Sequence, residues 1–229
     1  MKIAWTIPLL ALSLTAFTGC ASDDGEDPGP TDPEAVTIAE ARAQEADSEA
    51  TVEGTVTVAP GIFTSSIGDQ GFAIQDDTGG IYVSAPAQLD VELGDKVRIH
   101  GSLKQVAQLT TLVADAASLE VLEGTAAITP EDVTTGRIGE DTEGTLVRVS
   151  GALTKAIEDD TPYGHKIYID DGSGEVQIFV HIVDGAPIVS LDGLDMGDEI
   201  EVTGLSAQYE ATYEVAPRLA TDLTVAAAP

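Results

Sequence analysis

The chain has 229 residues, enough for one or two domains with cores of their own. Forty acidic against ten basic residues give a formal net charge of −30 and a pI near 4.1, which opposes any partner held by long-range attraction to positive charge, nucleic acid and anionic membrane surfaces included. An apolar content of 43% argues against a wholly disordered chain, and the lone cysteine excludes an internal disulfide and a multi-cysteine metal site.

The N-terminus reads MKIAWTIPLLALSLTAFTGC. Lys2 is followed by an uncharged apolar run from Ile3 to Phe17. A membrane-spanning helix needs about 20 apolar residues, so this shorter run reads as the hydrophobic region of a secretory signal. Thr18, Gly19 and Cys20 then resemble the lipobox of bacterial lipoproteins, although Phe17 stands where that family usually has Leu. The resemblance implies cleavage after residue 19, lipid on Cys20 and anchoring to a bacterial membrane. Stable anchoring needs two or more acyl chains, which that pathway supplies. Ala21 after the cysteine, rather than Asp, implies by the same resemblance an outer-membrane address in the cell envelope. Residues 20–36 are acidic, rich in Pro and Gly and nearly devoid of apolar side chains, the composition of a solvated tether. Extended, such a segment reaches about 50 Å.

Behind the tether one pattern is written twice, over residues 37–124 and 125–229. The first copy holds EGTVTV (Glu53 to Val58), FAIQDDTGGIYV (Phe72 to Val83) and LGDKVRIHG (Leu93 to Gly101). The second holds VRVSGAL (Val147 to Leu153), YIDDGSGEVQIFV (Tyr168 to Val180) and MGDEIEVTG (Met196 to Gly204). Each copy has a lead-in with helix-start character, TIAEARA at Thr37 to Ala43 and TPEDV at Thr129 to Val133. The other segments alternate apolar and polar residues with period two, as half-buried strands do. The D-x-x-G segments at Asp76 and Asp171 are turn chemistry between the second and third strands. Gly54 and Gly151, inside the first strand of each copy, mark a bend at a barrel corner.

Five strands in some 85 to 105 residues suit a small closed barrel. The string EGTLVRVSG (Glu143 to Gly151), the IDDGSGE hairpin and the closing YEVAPRLATDL (Tyr213 to Leu223) resemble the OB-like domains that accompany secreted bacterial nucleases. The resemblance implies an all-β chain of two tandem five-stranded, OB-fold-like Greek-key barrels. A pair of immunoglobulin-like sandwiches is the alternative, though each copy offers few strands for one.

The chemistry is sparse. His100, His165 and His181 fall in separate contexts, and the chain shows no G-x-S-x-G, no P-loop and no second cysteine. No catalytic residue, cofactor or metal is therefore expected, and the leading expectation is a non-catalytic envelope binding module. A divalent-metal-dependent nuclease is suggested only by the relatives. The acidic hairpin Asp170 to Glu175 invites calcium but lacks the length of a calcium loop, and turn propensity accounts for its residues.

Alternation in the second copy turns Ile167, Ile169, Val176, Ile178 and Val180 inward. Lys166, Tyr168, Gln177, Phe179 and His181 then face outward, with Tyr168 opposite Gln177 and Phe179 opposite Lys166. Aromatics interleaved with a base, on the face where OB folds commonly bind, could stack nucleobases or sugar rings. Tyr82 is the matching residue of the first copy. Packing of these aromatics against the other barrel is the alternative. The fold resemblance implies nucleic acid as a ligand, but the second copy alone carries 20 acids against 5 bases. A glycan or an envelope protein avoids that repulsion.

Overall fold

A computed structural model describes residues 34–226, so Cys20, the leader and most of the tether lie outside the described residues. The alternating segments form strands, and the strands close twice into the same ring. The first ring comprises β1 (Glu49–Val58), β2 (Phe72–Gln75), β3 (Gly80–Ser84), β4 (Asp95–Val106) and β5 (Leu109–Val113), with β6 (Leu119–Thr125) paired outside β4. Its order is β1-β2-β3-β5-β4 and back to β1. The β3–β5 pairing is parallel and all others are antiparallel.

The second half adds β7 (Glu131–Asp132), β8 (Leu146–Leu153), β9 (Glu158–Asp160), β10 (Gly164–Asp170), β11 (Val176–Val183), β12 (Ala186–Pro187), β13 (Glu199–Tyr209), β14 (Thr212–Ala216) and β15 (Leu223–Val225). Here β8-β10-β11-β14-β13 closes back on β8, again with one parallel pairing, β11–β14. Both rings are five-stranded and closed, the tandem OB-like arrangement. Closure sets aside the sandwich alternative, whose two sheets would keep open edges.

Each barrel fills its interior with the inward half of its alternating strands. Val52, Val56, Ile74, Ile81, Val97 and Ile99 are fully buried in the first. Val147, Ile167, Ile169, Ile178, Val180 and Val202 are fully buried in the second. Gly54 and Gly151 sit where the first strand of each barrel passes between two partners. A Cβ on Gly151 would stand 2.8 Å from the Asp170 backbone. The two L/M-G-D turns are built alike. Gly94 and Gly197 have φ of +91° and +90°, a region that favours glycine. The Asp95 and Asp198 carboxylates accept from the backbone N–H three residues earlier.

The lead-ins differ. In the first, α1 (Ile38–Arg42) is capped by Thr37 and Glu40 in a reciprocal box, and buried Ile38 and Ala41 pack into the first core. In the second no α-helix forms at Thr129 to Val133. Glu131 and Asp132 instead extend as β7 along β8, where Asp132 pairs with Arg148 at 2.6 Å, and a single 3-10 turn follows at Thr135–Arg137. The edge of β8 supplies backbone partners that a one-turn helix would not. The hairpin aspartates link lead-in to barrel in both copies. Asp76 accepts from the Ile38 N–H at 2.9 Å, and Asp171 accepts from the Thr135 hydroxyl at 2.8 Å. Asp170 accepts from the Gly172 and Gly174 N–H groups. These carboxylates are thus engaged by the turns they hold.

The two barrels share one compact unit. Their joint has its own apolar cluster, in which Val58, Phe63, Ala73, Tyr82 and Leu109 meet Leu205, Ala207 and Ala216. Polar contacts ring it. The Leu146 N–H donates to Gln75 Oε1 at 2.9 Å, and buried Arg218 donates to the Thr57 carbonyl at 2.6 Å. Glu143, its side chain wholly buried, accepts from Arg42 at 3.0 Å and from the Thr110 N–H at 3.1 Å. Burial pushes the Glu143 carboxyl up, and Arg42 opposes that. At Gly80 and Gly144 the backbones touch, so that a Cβ on Gly80 would stand 1.9 Å from the Gly144 carbonyl oxygen.

Candidate binding cavity

Strand β11 decides the site. Its inward residues Val176, Ile178 and Val180 fill the second core, leaving Gln177, Phe179 and His181 on the outer face. The register is that of a hairpin turning at Gly172 and Ser173: Tyr168 pairs with Gln177 and Lys166 with Phe179. The outer face is not open, however. Gln177, Phe179 and His181 are only 9%, 9% and 8% exposed, and the loop between β1 and β2 sets Phe63 against His181. The expected flat platform is instead the wall of a cavity of about 630 Å³ at the meeting of the two barrels. Phe63, Tyr163, Phe179 and Tyr209 line it, four of the eight aromatic side chains among the described residues.

The rings form a ladder across the joint. His181 meets Phe179 edge to face at 4.8 Å and Phe63 at 5.0 Å, and Phe63 meets Tyr82 at 5.0 Å. Tyr82 needs correction. Alternation assigns it to the outer face as a ligand residue, but it is fully buried behind Phe63. Its hydroxyl donates to Asp69 Oδ1 at 2.7 Å, and burial beside that carboxylate raises its pKa. The position does turn outward from the first barrel, but outward there means into the second barrel.

The polar groups are ordered in a line. The Tyr168 hydroxyl donates to Gln177 Oε1 at 3.2 Å, and Gln177 Nε2 donates to Glu214 Oε2 at 2.7 Å. Both ends of the Gln177 amide are thereby fixed. Tyr168 itself stands beside the cavity, with the Lys155 ammonium 4.0 Å from its ring centre. Lys166 lines the cavity and pairs with Asp160 at 3.0 Å. Glu214 is 5% exposed, and burial pushes its carboxyl up to about 7 against the pull of Gln177 and Lys166. Burial alone pushes His181 down to about 4, so its ring is neutral near pH 7. His181 Nε2 is buried without a hydrogen-bond partner, which costs about 1–3 kcal/mol unless something binds there.

Of the residues singled out in the sequence, Lys166, Gln177, Phe179 and His181 meet in one cavity, Tyr168 is joined to it through Gln177, and Tyr82 backs its floor. Sequence reasoning missed Phe63, Tyr163, Tyr209 and Glu214. Phe63 and Tyr163 sit in loops without periodicity, and Tyr209 closes β13 at a turn. Glu214 lies in the closing strand β14, and its partner Gln177 is set by the parallel β11–β14 pairing, which residue alternation does not reveal. Among the described residues no cluster of three or more His, Cys, Asp or Glu side chains is arranged to hold a metal ion.

No family model matches the chain. It is similar to Endonuclease YhcR of Bacillus subtilis (strain 168), with 26% identity over 198 residues. The match covers 82% of this chain and 16% of the endonuclease, so the chain spans about a sixth of that relative's length. A murine DNA-binding protein solved with double-stranded DNA is similar at TM-score 0.39 and 16% identity, over 78% of this chain and 97% of that one. A replication protein A heterotrimer bound to single-stranded DNA is similar at TM-score 0.30 and 11% identity, over 79% of this chain and 49% of that one.

Proposed function

We propose that this chain is a non-catalytic binding module of the bacterial envelope, held by lipid on Cys20 and taking its ligand in the cavity between the barrels. The observation that carries the reading is the concentration of half the described aromatics, with a fixed Gln177 amide and an unpartnered His181 nitrogen, around one cavity. The lipobox-like run ending at Cys20 and the acidic segment after it support the tether. A mixture of small aromatic and hydroxylated fragments, screened by NMR, tests the site. Shifts confined to residues such as Phe63, Phe179 and His181 are expected, and a screen that moves none of them refutes it. Fractionation of cells carrying Cys20→Ala tests the tether, and unchanged membrane retention counts against it.

Oligonucleotide binding in the same cavity is the second reading, favoured by the likeness to an endonuclease. Charge opposes it. Seven of the nine Lys and Arg side chains among the described residues lie within ion-pair distance of a carboxylate, Lys166 at the cavity among them. Phosphates would have to displace those carboxylates.

A further inference from the structure

We propose that the cavity takes a neutral, hydroxyl-bearing sugar of two or three rings, with His181 Nε2 as its central hydrogen-bonding contact. The inference rests on the reading of the cavity as a binding site and names the chemistry of its occupant.

Charge decides the first point. The cavity presents two carboxylates, Asp160 and Glu214, and one ammonium, Lys166, already 3.0 Å from Asp160. An anionic ligand meets carboxylates and no uncommitted cation on these walls. A cationic one meets Lys166. A neutral ligand disturbs neither the pair nor Glu214.

Hydrogen bonding decides the second. His181 Nε2 is buried without a partner, and the imidazole nitrogen is either donor or acceptor according to its tautomer. A hydroxyl serves both cases, since it donates and accepts. Beside it the Gln177–Glu214 bond offers further polar atoms already oriented from behind by Tyr168.

Shape decides the third. Phe63 and Phe179 stand edge to face with His181, and exposed Tyr163 and Tyr209 rim the opening. Such walls suit a ring with an apolar C–H face and a polar edge. A volume of about 630 Å³ exceeds what one sugar ring fills. Nothing in this binding mode requires that a bond be made or broken.

The test titrates the full-length chain in detergent with N,N′-diacetylchitobiose, cellobiose and maltotriose, and separately with a thymidine hexanucleotide. Calorimetry gives affinities, and the imidazole nitrogen signals of His181 report contact. At least one sugar is expected to bind and to move the His181 signals. His181→Leu should weaken it by about tenfold or more, and His181→Gln, which keeps a polar group, by less. Phe179→Ala should weaken it by a similar factor, and it keeps the test decisive where His181→Leu fails to fold. Three sugars that do not bind, or binding unaltered by His181→Leu, overturn the proposal. A hexanucleotide that alone moves the His181 signals overturns it too, while upholding the cavity as a site. Fragments, sugars and hexanucleotide that all leave the cavity signals unmoved sink the reading beneath it.

Discussion

Glu214→Gln gives the clearest check on the electrostatics of the cavity. The carboxyl rises from an ordinary 4.5 to about 7 because it is buried on β14, facing Gln177 of β11, Lys166 of β10 and Asp160 of β9. Between these values the folded chain keeps a proton that the unfolded chain releases. Stability from this group therefore falls as pH rises from about 4.5 to about 7, by about 3 kcal/mol in all. His181 works the other way. Its folded pKa of about 4 lies below the ordinary 6.5, so its burial as a neutral ring weakens the fold as pH drops from 6.5 toward 4. The two slopes oppose each other across the same window and nearly cancel in the native chain. Glu214→Gln keeps an acceptor for Gln177 Nε2 but removes the titration. Relative to the native chain, this variant should gain up to about 3 kcal/mol on going from pH 4 to pH 8. His181→Gln should gain a similar amount in the opposite direction, from pH 8 to pH 4. Urea denaturation at pH 4, 6 and 8 measures both. A difference from the native chain that stays constant with pH for either variant refutes the burial argument for that residue.

Three further outcomes follow from the packing. Arg218→Met removes the bond to the Thr57 carbonyl and leaves Asp222, 7% exposed at its side chain, without the guanidinium 3.3 Å away. A loss of about 3 kcal/mol in urea denaturation is expected, and a loss under about 1 kcal/mol would mean that Arg218 holds little of the fold. Gly80→Ala forces a Cβ against the Gly144 carbonyl, so the amide of Leu146, bonded to Gln75 across the joint, should exchange with solvent faster. Unchanged exchange there would show that the barrels give way without parting. Ile38→Ala empties the part of the first core filled from α1 and should cost about 2–5 kcal/mol by thermal or chemical denaturation. A near-neutral result would place α1 outside the cooperative fold.

Sequence periodicity determined the principal repeated strands of each barrel and their inward faces, and missed short ones such as β9 and β12. Side chains alternate across a strand with period two, so Ile167, Ile169, Val176, Ile178 and Val180 could turn only one way, and a turn centred on Gly172 and Ser173 set Tyr168 opposite Gln177. The repeat determined that the same ring would be built twice, and Asp-Gly chemistry determined the turns. Periodicity says which residues leave a barrel and nothing about what stands outside it. That was decided by how the barrels dock: Gly80 against Gly144, Arg218 on Thr57, and a loop that carries Phe63 over His181. Docking moved Tyr82 from an expected ligand face into an apolar joint, and turned an expected platform into a cavity. Closure of the second barrel, through the parallel pairing of β11 with β14, brought Glu214, more than thirty residues from Gln177 in the chain, to within 2.7 Å of it. The burial of Tyr82 and the cover over His181 depend on surfaces contributed by the other half of the molecule, and no local pattern of residues encodes a contact of that range.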